Sequence, residues 1–195
     1  MNNYEYIIAG LPFLSRDGQE KPDTAAILAD IREQLSERDR ASFDLLLQPY
    51  DGDTLDAAFY RKAAKSRNSF IRNFFAIDLG VRNAKVEYLN RSLGRTQGTD
   101  VVTLDPEAEP EEFGQKAEID AILDTGDILG RERALDAFYW KTVDELTVMD
   151  VFDLDVILAF VVKLKQVERW LRLDEATGRE LFRKLVTEIK ENYKI

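Results

Sequence analysis

Apolar side chains recur at every third or fourth position between residues 69 and 93, and this stripe constrains the fold more than any other feature of the sequence. It runs through Ile71, Phe74, Ile77, Val81, Ala84 and Tyr88. Because an α-helix has about 3.6 residues per turn, these side chains share one face of a single long helix. Gly80 inside the stripe predicts either a close crossing or a break, and Gly94 is the expected C-terminal cap.

Three shorter helices are predicted before this stripe, each from a polar cap followed by apolar residues at helical spacing. Asp23 is expected to cap a helix over 24–35, and Ser36 with Asp39 resembles a capping box that opens the next one. Asp53, which follows a turn, is expected to cap the third.

Four helices are predicted in residues 111–195. The first is expected over 111–123. Asp127 is expected to cap a helix that ends near Leu146, and Asp153 a helix over 154–173. A final apolar stripe predicts a terminal helix from about Glu175.

The linker and the fold class follow from what lies between these helices. Only residues 4–11 and 101–104 have the composition of short strands. Glycine, proline and acidic residues interrupt the helical pattern at 96–110, which indicates a linker open to proteolysis. The sequence therefore predicts an all-α protein, a multi-helix bundle in two packed halves (1–95 and 111–195) joined by an acidic linker.

The chain contains neither Cys nor His. Disulfides, thiol nucleophiles, Ser-His-Asp triads and histidine-ligated metals are therefore excluded, and we expect no cofactor and no active site. The N-terminus lacks the basic region of a secretory signal, and no apolar run approaches the roughly 20 residues of a membrane span. A cytoplasmic location is the expectation.

Charge is segregated along the chain, whose formal net charge is −10. Residues 61–95 contain nine basic and two acidic residues, a net of +7, whereas residues 99–127 contain ten acidic residues and one basic residue, a net of −9. The overall negative charge argues against nucleic-acid binding. The acidic stretch could fold over the basic one, or either could face a partner.

Carboxylate pairs and aromatic residues are weaker candidates for a site. Asp124 with Asp127, or Asp153 with Asp155, could bind a cation or share acid–base roles, but helix capping explains such pairs more simply. The aromatic residues at 70–75 and 138–140 lie on apolar stripes and are expected in the core. Trp170 sits among basic residues, which suits either an interface hot spot or a solvated helix end.

Several stretches together resemble an uncharacterised bacterial family that is encoded with V-type (A/V-type) ATP synthase subunits. They are the segment YIIAGLP at 6–12, RNF at 72–74, VRNAK at 81–85, and the stretch from FYW at 138–140 to RW at 169–170. That family is similar to a short form of the central-stalk C subunit, called d in eukaryotes. The resemblance implies an all-helical, non-catalytic part of a rotary ATPase.

The resemblance also implies partners and a location. C-type subunits seat the central shaft on the membrane rotor ring, so the expected partners are other ATPase subunits, with no nucleic acid and only indirect membrane contact. The expected place is cytoplasmic, peripheral to the inner face of the membrane. Because this chain is shorter than a C subunit, an accessory subunit or assembly factor is the alternative within that machine.

Residues on predicted polar faces or helix ends are the candidate partner contacts. They are Arg82, Asn83, Arg91, Arg95, Lys163, Arg169 and Trp170. The competing hypothesis is a small-molecule-binding helical protein or enzyme that uses carboxylates, such as Asp124 and Asp127, in a cleft between the two halves.

Overall fold

The computed structural model describes residues 3–16, 21–50, 55–105 and 113–172. Within these ranges the chain forms α-helices and no strand, so the predicted all-α fold is confirmed. The helices are α1 (Glu5–Gly10), α2 (Thr24–Gln34), α3 (Glu37–Leu47), α4 (Ala57–Ala64), α5 (Ser69–Ser92), α6 (Lys116–Leu123), α7 (Ile128–Leu146) and α8 (Leu154–Arg172), with a 3₁₀ turn at Gln48–Tyr50 after α3. The terminal helix expected from Glu175 lies outside the described residues.

Polar caps start four of these helices where the sequence predicted. Asp23 accepts a hydrogen bond from the backbone of Ala26, and Asp127 accepts two, from Leu129 and Gly130. One predicted cap was wrong. The helix for which Asp53 was expected as the cap is α4, which begins at Ala57, and its cap is Asp56, whose carboxylate accepts the backbone N–H of Phe59 at 2.7 Å. Asp53 itself lies outside the described residues.

The stretch 4–11, whose composition would also suit a short strand, contains helix α1 (Glu5–Gly10). The reason is spacing: Tyr4, Ile7, Ile8 and Leu11 recur at helical intervals and all pack on the core. The Tyr4 hydroxyl also donates to Asp39 at 2.5 Å, and the backbone N–H of Ser36 donates to that hydroxyl at 3.3 Å. The Ser36–Asp39 capping box is therefore extended by a tyrosine from α1.

Helix α5 is continuous through Gly80, so the close crossing and not the break is correct. The ring of Phe113 lies where a β-carbon on Gly80 would be, with the nearest ring atom 2.4 Å from that position. The helix ends as expected: Gly94 adopts a φ of 64°, and Arg95 donates its backbone N–H to the carbonyl of Asn90.

The described part of the predicted linker, residues 96–105, is attached along α5. Asn83 both donates to the carbonyl of Val102 and accepts its N–H, at 2.9 and 3.0 Å. Buried Asn90 donates to the carbonyl of Thr99 at 2.8 Å, and Arg61 donates to that of Leu104 at 3.0 Å. This stretch is neither a strand nor a free connection.

Among the described residues the core forms two clusters, and both draw on the two predicted halves. The larger joins α1–α5 to α8 and includes Phe43, Ile71 and Leu158, and the smaller lies between the second half of α5, α6 and α7. Helices on either side of residues 96–110 share their apolar contacts. The division of the chain into two halves at this stretch stays a prediction. The helix expected over 111–123 begins only at Lys116, after the turn that carries Phe113.

Three long helices run along a common axis. Contacts of Asp78 with Tyr139 and of Lys85 with Glu132 show that α5 and α7 are antiparallel. Contacts of Arg169 with Glu132 and Asp136, and of Lys163 with Asp144, show the same for α7 and α8. The molecule therefore has one end at the α7–α8 loop and another at the start of α7.

Candidate docking surfaces and cleft

Two of the predicted contact residues, Arg82 and Asn83, have roles inside the fold. The Arg82 guanidinium donates to the buried carboxylate of Asp78 at 2.8 Å, and Asn83 holds the Val102 backbone. Charge reversal at Arg82 would place two carboxylates together, so it would disturb folding before it tested docking.

Arg91 and Arg95 connect the basic stretch to the acidic one. Arg91 donates to Asp120 at 3.0 Å, and Arg95 lies 3.9 Å from Asp100. The basic and acidic stretches are thus paired within the chain at these two positions. Exposed pairs of this kind contribute under about 1 kcal/mol each.

The remaining three predicted residues lie on α8 and contact α7, two of them through a second polar network around Asp136 and Lys163 through a separate ion pair. Arg169 donates to buried Asp136 at 2.6 Å, and the Trp170 indole N–H donates to the same carboxylate. Lys163 pairs with Asp144 and lies over the ring of Trp140. These side chains fasten α8 to α7.

A network around Asp78 was not predicted from the sequence. Tyr60 and Tyr139 donate their hydroxyls to the two oxygens of Asp78, at 2.6 and 2.8 Å. Burial, followed by the charge of Asp78, raises the pKa of both tyrosines. For Arg82, burial opposes the charged form, but the carboxylate of Asp78 outweighs it and raises the pKa. Both tyrosine hydroxyls and both carboxylate oxygens of this network therefore have a hydrogen-bond partner.

Exposed apolar side chains gather at the end of the molecule formed by α1 and the α7–α8 loop. The backbone N–H of Tyr4 donates to the carbonyl of Phe152, and Arg16 and Val148 line the same depression, so the two segments adjoin. Tyr6 and Phe13 are each 91% exposed. We call this surface the loop end; its members are Tyr6, Phe13, Val148, Met149, Val151 and Phe152.

A second apolar surface lies at the opposite end, where α5 finishes and α7 begins. Arg131 lies over the ring of Tyr88, which places these two helix ends side by side. We call this surface the helix end; its members are Leu89, Leu93, Ile128 and Leu129, all more than half exposed. The 19 residues of α7 span about 28 Å between the two ends.

A cleft of about 780 Å³ opens between α3, the α4–α5 turn and the start of α8. Its charged lining residues are three basic and three acidic: Arg38, Lys62, Arg67, Asp39, Asp153 and Asp155. Burial raises the pKa of Asp155 and, with repulsion from Asp153, that of Asp150 beside it. Asp153 also caps α8, as predicted, by accepting the backbone N–H of Asp155.

The carboxylates named in the competing hypothesis are not part of this cleft. Asp124 and Asp127 are exposed, and both oxygens of Asp127 accept backbone N–H groups as a helix cap. Among the described residues no group of three carboxylates is arranged to hold a metal ion. None of the helices described is both long and apolar enough to cross a bilayer.

Comparison with known proteins places the chain in a family but assigns it no activity. No curated protein and no solved structure matches it. One family does match, over residues 50–193, a range that includes α4 to α8 with both polar networks, the helix end and most of the cleft. Because that match covers well over half of the 195 residues, the chain belongs to the family described as "Protein of unknown function (DUF2764)".

Proposed function

We propose that this protein is a non-catalytic subunit or accessory protein of a V-type (A/V-type) ATPase, similar in role to a C/d subunit, that connects the central shaft to the membrane rotor ring. The observation that carries the proposal is the pair of exposed apolar surfaces at opposite ends of one helical body. Apolar patches rimmed by polar residues are typical of protein-binding sites, and a part that joins two partners needs two of them.

The polar networks in the interior support a role in transmitting force between partners. The Asp78 network ties α4, α5 and α7 together, and the Asp136 network ties α7 to α8. Buried hydrogen-bonded networks with all groups satisfied fix the relative positions of the elements that share them. The resemblance to a short C subunit provides the identity of the partners, and the location follows as cytoplasmic, at the inner face of the membrane.

The geometry favours the apolar ends over the seven basic and polar residues as the main contacts. Each of those seven has a partner within the chain. Such a side chain must give up its partner within the chain before it can bind another protein. Burial of an exposed leucine or methionine needs no such exchange and is favourable by about 25 cal/mol per Å² of apolar surface.

A tagged pull-down from native membranes tests this proposal. We expect shaft and ring subunits of the ATPase to co-purify and to remain bound at high salt, because apolar contacts are not screened. Recovery of the protein without any ATPase subunit, at either salt concentration, would contradict the proposal.

The second candidate function is small-molecule binding, with or without catalysis, in a cleft between the two halves. The cleft lined by Asp153 and Asp155 favours it, since its lining combines residues of α3 with residues at the start of α8. Ligand titration of the purified chain, with no ATPase present, separates this function from docking.

A further inference from the structure

Side chains of both charges line the cleft without pairing. We call Arg38, Lys62 and Arg67 its basic wall, and Asp153 and Asp155 at the start of α8 its acidic wall. In the described part of the chain none of these five residues belongs to an ion pair within 4.0 Å. Their charges therefore do not neutralise each other directly.

Most hydrogen-bond donors of the basic wall are not used within the described part of the chain. Arg38 and Arg67 donate to no group among the described residues, and Lys62 makes one bond, of 3.3 Å, to Gln48. A guanidinium has five N–H donors in a planar fork that matches the oxygens of a carboxylate or a phosphate. Two such groups that line the same cleft therefore suit an oxyanion.

The acidic wall is fixed in place by hydrogen bonds. Asn68 and Ser69 donate to the carboxylate of Asp155, and Asp153 is held by the backbone N–H of Asp155. With Asp150 nearby, three carboxylates repel one another at this helix start. An ammonium group placed among them would relieve that repulsion.

We propose that the cleft binds a small zwitterionic molecule that carries a phosphate or carboxylate at one end and an ammonium group at the other. The oxyanion contacts Arg38 and Arg67, and the ammonium contacts Asp153 and Asp155. Three basic and three acidic lining residues give the cleft no net charge, which favours a ligand that is neutral overall but has both charges. Its volume of about 780 Å³ is typical of small-molecule sites.

This inference deepens the second candidate function and does not depend on docking to an ATPase. The same chemistry occurs in a free metabolite and in the ethanolamine headgroup of a lipid, so the test includes both. Calorimetric titration of the full chain uses O-phosphoethanolamine, inorganic phosphate and ethanolamine as separate probes, and vesicles of phosphatidylethanolamine as a fourth.

We expect O-phosphoethanolamine to bind at least about tenfold more tightly than phosphate or ethanolamine, because it engages both walls at once. Arg67→Gln and Asp155→Asn should each weaken its binding about tenfold, the loss of one charge-assisted contact. Lys65→Gln is the matched control: Lys65 lies two residues before Arg67, is exposed and does not line the cleft, so binding should be unchanged.

Circular dichroism of each variant confirms that the helices are retained. Tight binding to the phosphatidylethanolamine vesicles would identify a lipid headgroup as the ligand. Tight binding of free O-phosphoethanolamine would identify a soluble metabolite. Absence of binding to all four probes, equal affinity for phosphate alone, or binding that Arg67→Gln leaves intact would overturn the proposal. None of these outcomes bears on the pull-down, which depends on the two apolar ends.

Discussion

At the scale of single residues, a buried carboxylate connects three helices. Asp78 accepts from Tyr60 on α4, Tyr139 on α7 and Arg82 on its own helix. Burying a charge is costly unless it is paired and hydrogen-bonded, and here each requirement is met. Once the three donors surround it, removal of the carboxylate leaves each of them without its partner.

Asp78→Ala should therefore destabilise the protein by about 2–4 kcal/mol, because two buried hydroxyls and a guanidinium lose their acceptor. Urea unfolding measures the difference. Asp44→Ala is the control, since Asp44 pairs with Arg32 on the surface and should cost less than about 1 kcal/mol. Equal costs for the two variants would contradict a structural role for the network.

Gly80 is the other residue on which packing depends. Gly80→Ala should destabilise by about 1–2 kcal/mol despite the better helix propensity of Ala, because the new methyl group would meet the Phe113 ring. Gly10→Ala, at a helical glycine with open space around it, should have no such cost. Thermal unfolding of both variants checks the difference, and a stabilised Gly80→Ala would show that the ring moves aside freely.

At the scale of elements, the sequence predicted most helices because caps and stripes are local signals. Asp23, Ser36, Asp127 and Asp153 all act as the caps they were expected to be. The miss at α1 has a physical reason: in a short, largely apolar segment of eight residues, strand and helix periods are hard to distinguish. The signal was nevertheless present in the spacing of Tyr4, Ile7, Ile8 and Leu11.

The attachment of residues 98–104 to α5 could not be predicted, because it depends on two asparagines meeting a backbone far along the chain. Asn83→Ala should raise the hydrogen-exchange rate of the Val102 amide about tenfold, since that amide loses its acceptor. Asn73→Ala on the exposed part of the same helix is the control and should leave this amide unchanged. Equal exchange in both variants would show that the segment is held by other contacts.

The start of α8 provides a prediction with a defined pH dependence. Burial and repulsion raise the pKa of Asp150, so its ionised form costs stability in the folded state. Asp150→Asn should increase the melting temperature at neutral pH, and the gain should disappear as the pH falls below the ordinary Asp value of about 3.9. Asp124→Asn changes the net charge equally at an exposed position and should give no such pH-dependent gain.

At the scale of the whole molecule, three long helices hold two apolar ends about 28 Å apart. Each end combines segments that are distant in sequence, such as Tyr6 with Phe152, so no local pattern could identify it. The contacts predicted from the sequence are instead basic and polar residues, and the fold gives each of them a partner within the chain. The proposed role as a connecting part therefore depends on the two ends rather than on segregated charge.

Pull-downs with variants of one end at a time test this role most directly. Met149→Asp alters the loop end, Ile128→Asp the helix end, and Ala29→Asp, an exposed position on α2, is the control. If the protein connects shaft and ring, each end variant should lose one set of ATPase subunits and keep the other, and the control should keep both. Retention of both sets by both end variants would contradict docking through the apolar ends.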